Sequence, residues 1–137
     1  MTHVQQPPRS KLCGPACVAI LAGVTLNEAI VGTGNRRSGS RERHLRAACQ
    51  SLGLTIGAFH KFERSDTSPR GGPLLDLLDG PLLCRLRWRD RPNGYHWIVI
   101  KGSYVYDPAF PEAERRRDYR QWMNRQGAYL SSWAEVS

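Results

Sequence analysis

The segment CGPACVAILAGV carries Cys13, Cys17, Ile20 and Val24 at i, i+4, i+7 and i+11, the spacing of one helix face. Pro15 is tolerated in a first turn and Gly23 is a natural stop, so a helix is predicted to begin at Cys13. A second short helix is expected from Thr25, where Thr25 and Glu28 have capping-box spacing ahead of Ala29 and Ile30. A third is predicted from Ser40 to Leu52, with Leu45, Ala48, Cys49 and Leu52 on one face and Gly53 at its end. Beyond Gly53 the helical period gives way to short runs. LTIGAF (54–59), PLLCRLRW (81–88), HWIVI (96–100) and YVYD (104–107) read as strands. In the second run Leu82, Cys84, Leu86 and Trp88 alternate with Leu83, Arg85 and Arg87, predicting an apolar inner face and a basic, solvated outer one. Pro111 to Met123 places acids first and arginines later, the order a helix dipole favours, and Gly127 to Trp133 is expected to be a last strand. The loops Gly32 to Ser40 and Glu63 to Pro73, including the Gly71-Gly72 pair, combine Gly, Ser, charge and turn chemistry at the surface. Helices first and strands afterwards predict an α+β fold, with amino-terminal helices packed on a mostly antiparallel sheet.

A length of 137 residues with 40% hydrophobic composition fits one domain, 1–137, with a core of moderate size. No apolar run reaches the roughly 20 residues of a membrane span, and the first ten residues lack an apolar signal core. A soluble cytoplasmic protein is therefore expected, with export as an effector also compatible. The net charge of +8 comes almost wholly from arginine, since Lys11, Lys61 and Lys101 are the only lysines among 20 basic residues. Such a bias suits phosphate binding, but it is equally expected from a GC-rich coding sequence, and nucleic acid is not the expected partner. The rival to an enzyme is nevertheless a basic binding module built on Arg85, Arg87, Arg89 and Arg115 to Arg117, or a catalytically silent peptide binder.

Four cysteines at 13, 17, 49 and 84 are too sparse for a disulfide scaffold and should be free thiols. Cys17, Cys49 and Cys84 lie on apolar faces and read as small buried hydrophobes. Cys13 differs, because a helix amino terminus with a nearby imidazolium can lower a thiol pKa from about 8.5 to as little as roughly 3.5. It also precedes Gly14, expected to let a substrate backbone come close. Of the histidines, His3 lies in a terminus expected to fray, His44 on an arginine-rich helix and His60 at a strand end. His96 opens an apolar strand directly after Asn93-Gly94, where a ring can reach a cleft. The strands 96–100 and 104–107 should form a hairpin. A Lys101-Gly102 loop sets His96 opposite Asp107; a Gly102-Ser103 loop sets Asp107 opposite Ile98 and diagonal to His96. Both registers keep the pair on one face, so Asp107 can orient the ring. A metal site from Cys13 and Cys17 with His44 or Cys49 is disfavoured, since neither close-pair spacing nor a second ligand pair is present. No metal or cofactor is expected.

The segments QQPPRSKLCGPACVAILAGV, GYHWIVI and VYDP resemble the bacteriocin-processing, double-glycine leader peptidases and their stand-alone relatives in the papain-like superfamily. The likeness runs from Gln5 to about Pro108. It implies a papain-like fold and acyl transfer with Cys13 as nucleophile, His96 as base, Asp107 as orienter and Gln6 as oxyanion donor. In that family the Gln stands six positions before the Cys, whereas Gln6 stands seven before Cys13 and Gln5 eight. The implied substrate is a peptide or protein. Leader cleavage itself is not implied, because the fused exporter of those peptidases would not fit in this length.

Overall fold

The computed structural model describes residues 1–34, 39–62 and 80–137. These form helices α1 (Cys13–Ala22), α2 (Leu26–Thr33), α3 (Glu42–Ser51) and α4 (Arg116–Gln126). The strands are β1 (His60–Lys61), β2 (Leu82–Trp88), β3 (Arg91–Lys101), β4 (Tyr104–Tyr106), β5 (Glu114–Arg115) and β6 (Ala128–Glu135). They make one sheet in the order β1-β6-β2-β3-β4-β5, each neighbouring pair antiparallel. The α+β arrangement is the one the hydrophobic pattern predicted. The predicted loop 63–73, with Gly71-Gly72, lies outside the described residues, as do residues 35–38; Gly32 and Thr33, expected in a loop, are the last turn of α2.

Two apolar layers sandwich the sheet. On one side α1, α2 and α3 bury Cys17, Val18, Ile20, Leu45 and Ala48 against Leu83, Trp97 and Val99. On the other, Tyr119 and Met123 of α4 pack with Cys84, Leu86, Ile98 and Leu130. Because α1 meets β3 as well as α2 and α3, it is buried from Cys13 through Ile20, not along one face as the spacing suggested. Gly23 ends it in the left-handed conformation. The Thr25 and Glu28 capping box forms as expected. Leu52, expected on the buried face of α3, lies beyond its last turn and is half exposed.

Tertiary pairing corrects three other expectations. Of LTIGAF only Ile56 makes a bridge, to Val136, with backbone hydrogen bonds between 55–57 and 135–137, and the regular strand begins afterwards at His60. Helix α4 starts at Arg116 and not at Pro111, since Glu114 and Arg115 are drawn into the sheet by pairing with Val105 and Tyr104. The basic face of β2 is only partly solvated: Arg85 is half buried, its guanidinium 4.8 Å from the Trp97 ring centroid and 5.3 Å from that of Tyr95. Both faces of β2 are covered, as a central strand between two helical layers requires.

The β3–β4 hairpin decides the geometry of the site. Val99 pairs with Tyr106 and Lys101 with Tyr104, so Gly102-Ser103 is the loop, with Gly102 at φ 59. This is the second of the two expected registers, with Asp107 diagonal to His96. Asn93-Gly94, expected as the turn before His96, instead lies within β3. Trp88 pairs with Arg91 and Arg87 with Tyr95, so residues 92–94 have no counterpart in β2 and bulge from the ladder just ahead of His96.

Candidate active site

Cys13 is the first residue of α1, following Leu12, whose side chain makes no capping bond. The first-turn N–H groups of a helix have no partner within it and carry the positive end of its dipole. Pairing of β3 with β4 stops at Val99, which leaves the His96 end of β3 open to the start of α1. There the His96 ring and the Cys13 side chain come close enough to interact, at the wall of one cleft. His96 Nε2 donates to Asp107 Oδ1 at 2.6 Å, so Nδ1 is the ring atom left for the thiol.

Asp107 is only 1% exposed, and its carboxylate is saturated with donors. Oδ1 also accepts from the Ala109 N–H at 2.9 Å, and Oδ2 accepts from the Tyr119 hydroxyl at 2.7 Å. Burial opposes the charged carboxylate, but the bonds from His96, Tyr119 and Ala109 outweigh it and hold the Asp107 carboxyl below its ordinary range. Burial likewise disfavours the imidazolium. Its bond to Asp107 and its interaction with Cys13 prevail and raise the His96 pKa to about 10. Tyr119 is pushed upward by burial and by the neighbouring carboxylate, so it stays a neutral donor. The other thiols sit in apolar surroundings: burial drives Cys17 and Cys84 well up and Cys49 to about 11.

Cys13 and His96 open into a cavity of about 310 Å³ walled in part by Ser10, Trp88, Gly94 and Trp97. One wall is pinned: the Ser40 carbonyl accepts from Trp97 Nε1 at 2.9 Å and from the Tyr95 hydroxyl at 3.1 Å. Gly14 serves this wall and not a substrate. A Cβ there would lie 2.7 Å from Ser40 Cβ and 2.9 Å from Leu45 Cδ2, so the space expected for a ligand is filled by the protein.

Gln6 is half buried and Gln5 exposed. The Gln6 backbone N–H donates to Pro108 O at 2.8 Å, tying the entry segment to the residue after Asp107, and its side-chain Nε2 donates to Ser10 O at 2.8 Å. Between Gln6 and Cys13, Ser10 N bonds to Pro7 O across Pro8 and Arg9, and Arg9 takes φ 61. This is the pattern of a type II turn, with Arg where Gly is usual. His3 does not fray: its Nε2 donates to Phe110 O at 2.7 Å and its ring stacks on Tyr106. His44 accepts from the Arg41 N–H, and His60 lies on Trp133. Neither joins the site. Among the described residues no three His, Cys, Asp or Glu side chains are grouped to hold a metal.

Tyr119 belongs to the site without a signature in the sequence. Its spacing of four from Met123 marks a buried helix face, but nothing local says that its hydroxyl meets Asp107.

No family model and no curated protein sequence matches the chain. Solved structures do. The peptidase domain of Streptococcus mutans ComA is 18% identical with a TM-score of 0.62, covering 100% of this chain and 99% of its own. A double glycine motif protease from an AMS/PCAT transporter, in complex with the leader peptide, is 21% identical with a TM-score of 0.52 over 96% of this chain and 90% of that one. The Pseudomonas avirulence protein AvrPphB is 16% identical with a TM-score of 0.55, over 99% and 97%. The fold is papain-like. In this papain-like frame Cys13 heads the first helix, His96 lies on β3 and Asp107 directly follows β4.

Proposed function

We propose that the chain is a cysteine hydrolase of peptide or isopeptide amides, with Cys13 as nucleophile, His96 as acid and base, Asp107 as orienter and Gln6 as oxyanion donor. The observation that carries this reading is the 2.6 Å hydrogen bond between His96 and Asp107 at a cleft that Cys13 and His96 both line. In the proposed reaction His96 already holds the proton as an imidazolium, and Cys13 Sγ attacks the amide carbonyl carbon. The oxyanion meets the Cys13 N–H at the start of α1 and the Gln6 Nε2 proton not engaged by Ser10. Collapse breaks the C–N bond as His96 protonates the leaving amine, and a thioester remains. Water then attacks, giving its proton to His96, and releases the acid and the Cys13 thiolate. The leader peptide bound by one structural neighbour supports a peptide as substrate. No cofactor is invoked.

Alkylation with iodoacetamide at pH 6, followed by peptide mapping, tests the reading. Cys13 should be modified well before Cys17, Cys49 and Cys84, and His96→Ala should abolish that lead; equal labelling of all four thiols overturns the proposal. The oxyanion role is tested separately. Gln6→Ala should slow turnover of an activated ester about 100- to 1000-fold while leaving alkylation of Cys13 unchanged, and Gln5→Ala should be neutral in both assays.

A further inference from the structure

Gly39 and Tyr95 are shared by the wall of the Cys13 cleft and that of a second cavity, of about 580 Å³, lined by Arg41, Arg43, Arg46, Arg85 and Glu42. Four guanidinium groups there face one carboxylate. Glu42 is already committed, since Oε1 accepts from Arg46 Nε and NH2 at 3.2 and 3.0 Å. Arg46 further donates to the Ile56 and Gly57 carbonyls, so it is a strut between α3 and the following chain.

Arg85 is held differently. Its guanidinium lies over Trp97, Tyr95 and Phe59, at 4.8, 5.3 and 5.9 Å from their centroids. Glu42 Oε2 is 3.9 Å away, beyond hydrogen-bond distance, and Arg85 Nε is buried without a hydrogen-bond partner among the described residues. Stacking on rings fixes a guanidinium in place while leaving its in-plane N–H groups for an anion. Arg41 and Arg43 are exposed at the rim, where they add positive potential.

Resting on the peptidase reading above, we propose that this cavity is a specificity subsite for an acidic side chain of the peptide substrate, its carboxylate recognised by Arg85 and Arg41. A carboxylate matches the planar guanidinium fork and would balance the excess charge. Because the cavity shares Gly39 and Tyr95 with the cleft, the acidic residue stands close to the scissile bond, at one fixed position of an extended substrate.

The test is digestion of a proteome-derived peptide library, with cleavage sites read on both sides of the broken bond by mass spectrometry. Wild-type protein should enrich Asp or Glu roughly tenfold at one position, the discrimination of a single charge-assisted hydrogen bond. Arg85→Gln should erase that enrichment. Since Arg85 also packs on aromatic rings, exposed Arg41 supplies the second variant: Arg41→Gln should weaken the preference and Arg41→Glu should turn it toward Lys and Arg. Cys13-dependent cleavage without acidic enrichment, or with enrichment unchanged in the variants, overturns the subsite and leaves the peptidase reading standing. Absence of any cleavage that Cys13→Ala removes overturns both.

Discussion

At the scale of single residues, Asp107 is the hub, because it is a buried charge whose donors come from three parts of the chain. Removing one donor leaves part of a desolvated carboxylate unmatched, which costs about 1–3 kcal/mol. Tyr119→Phe preserves the ring and deletes only the bond to Oδ2. It should lower stability by that amount in urea denaturation and move the pH profile of Cys13 alkylation, whereas a purely packing role for Tyr119 would leave the profile in place. Asp107→Asn should keep the fold and reduce Cys13 reactivity at pH 6, because an amide neither balances the imidazolium nor fixes its tautomer. The position of Cys13 at a helix start and of Asp107 near His96 across a hairpin was legible from local pattern, whereas the turn read ahead of His96 is a bulge within β3. The Tyr119 bond spans 12 residues and two elements, so no local period encodes it.

Elements place those residues, and the start of α1 is the most constrained. It must approach Ser40 closely enough for Tyr95 and Trp97 to hold that carbonyl, and Gly14 makes room. Gly14→Ala forces a Cβ to 2.7 Å from Ser40 Cβ, an overpacking that costs about 1–3 kcal/mol. Denaturation should show the loss, and Ser40→Gly in the same chain should recover part of it by removing that contact. If the double variant is no more stable than Gly14→Ala, the collision is not with Ser40. At this scale the helix read from Pro111 was overridden by pairing of residues 114–115 with 104–105, while the strand read over 54–59 is reduced to the short pairing of 55–57 with 135–137. The hairpin register was narrowed to two by loop length, and the chain uses the one that puts Gly102 where φ is positive.

For the whole molecule, the buried pair links stability to pH. The folded His96 pKa of about 10 exceeds the unfolded value of about 6.5, so its stabilisation is complete below pH 6.5 and is lost as pH rises towards 10. The Asp107 carboxyl is depressed, so its contribution is complete above about pH 4 and is lost as pH falls below that. Urea midpoints should therefore be highest between about pH 4 and 6.5 and should fall from pH 6.5 to 8, before unfolded thiols titrate. His96→Gln should flatten that fall; a wild-type slope in the variant would assign it to another group. By itself the sequence determined the order and kind of most elements, the helix start at Cys13 and the closeness of His96 to Asp107, because periodicity, caps and tight turns act over a few residues. Only the tertiary structure decided which strands became central, that Arg85 lies half buried on aromatic rings, that Ser40 fills the space beside Gly14, and that Tyr119 completes the carboxylate. Those outcomes depend on contacts between distant segments, where burial and hydrogen-bond satisfaction outweigh local preference.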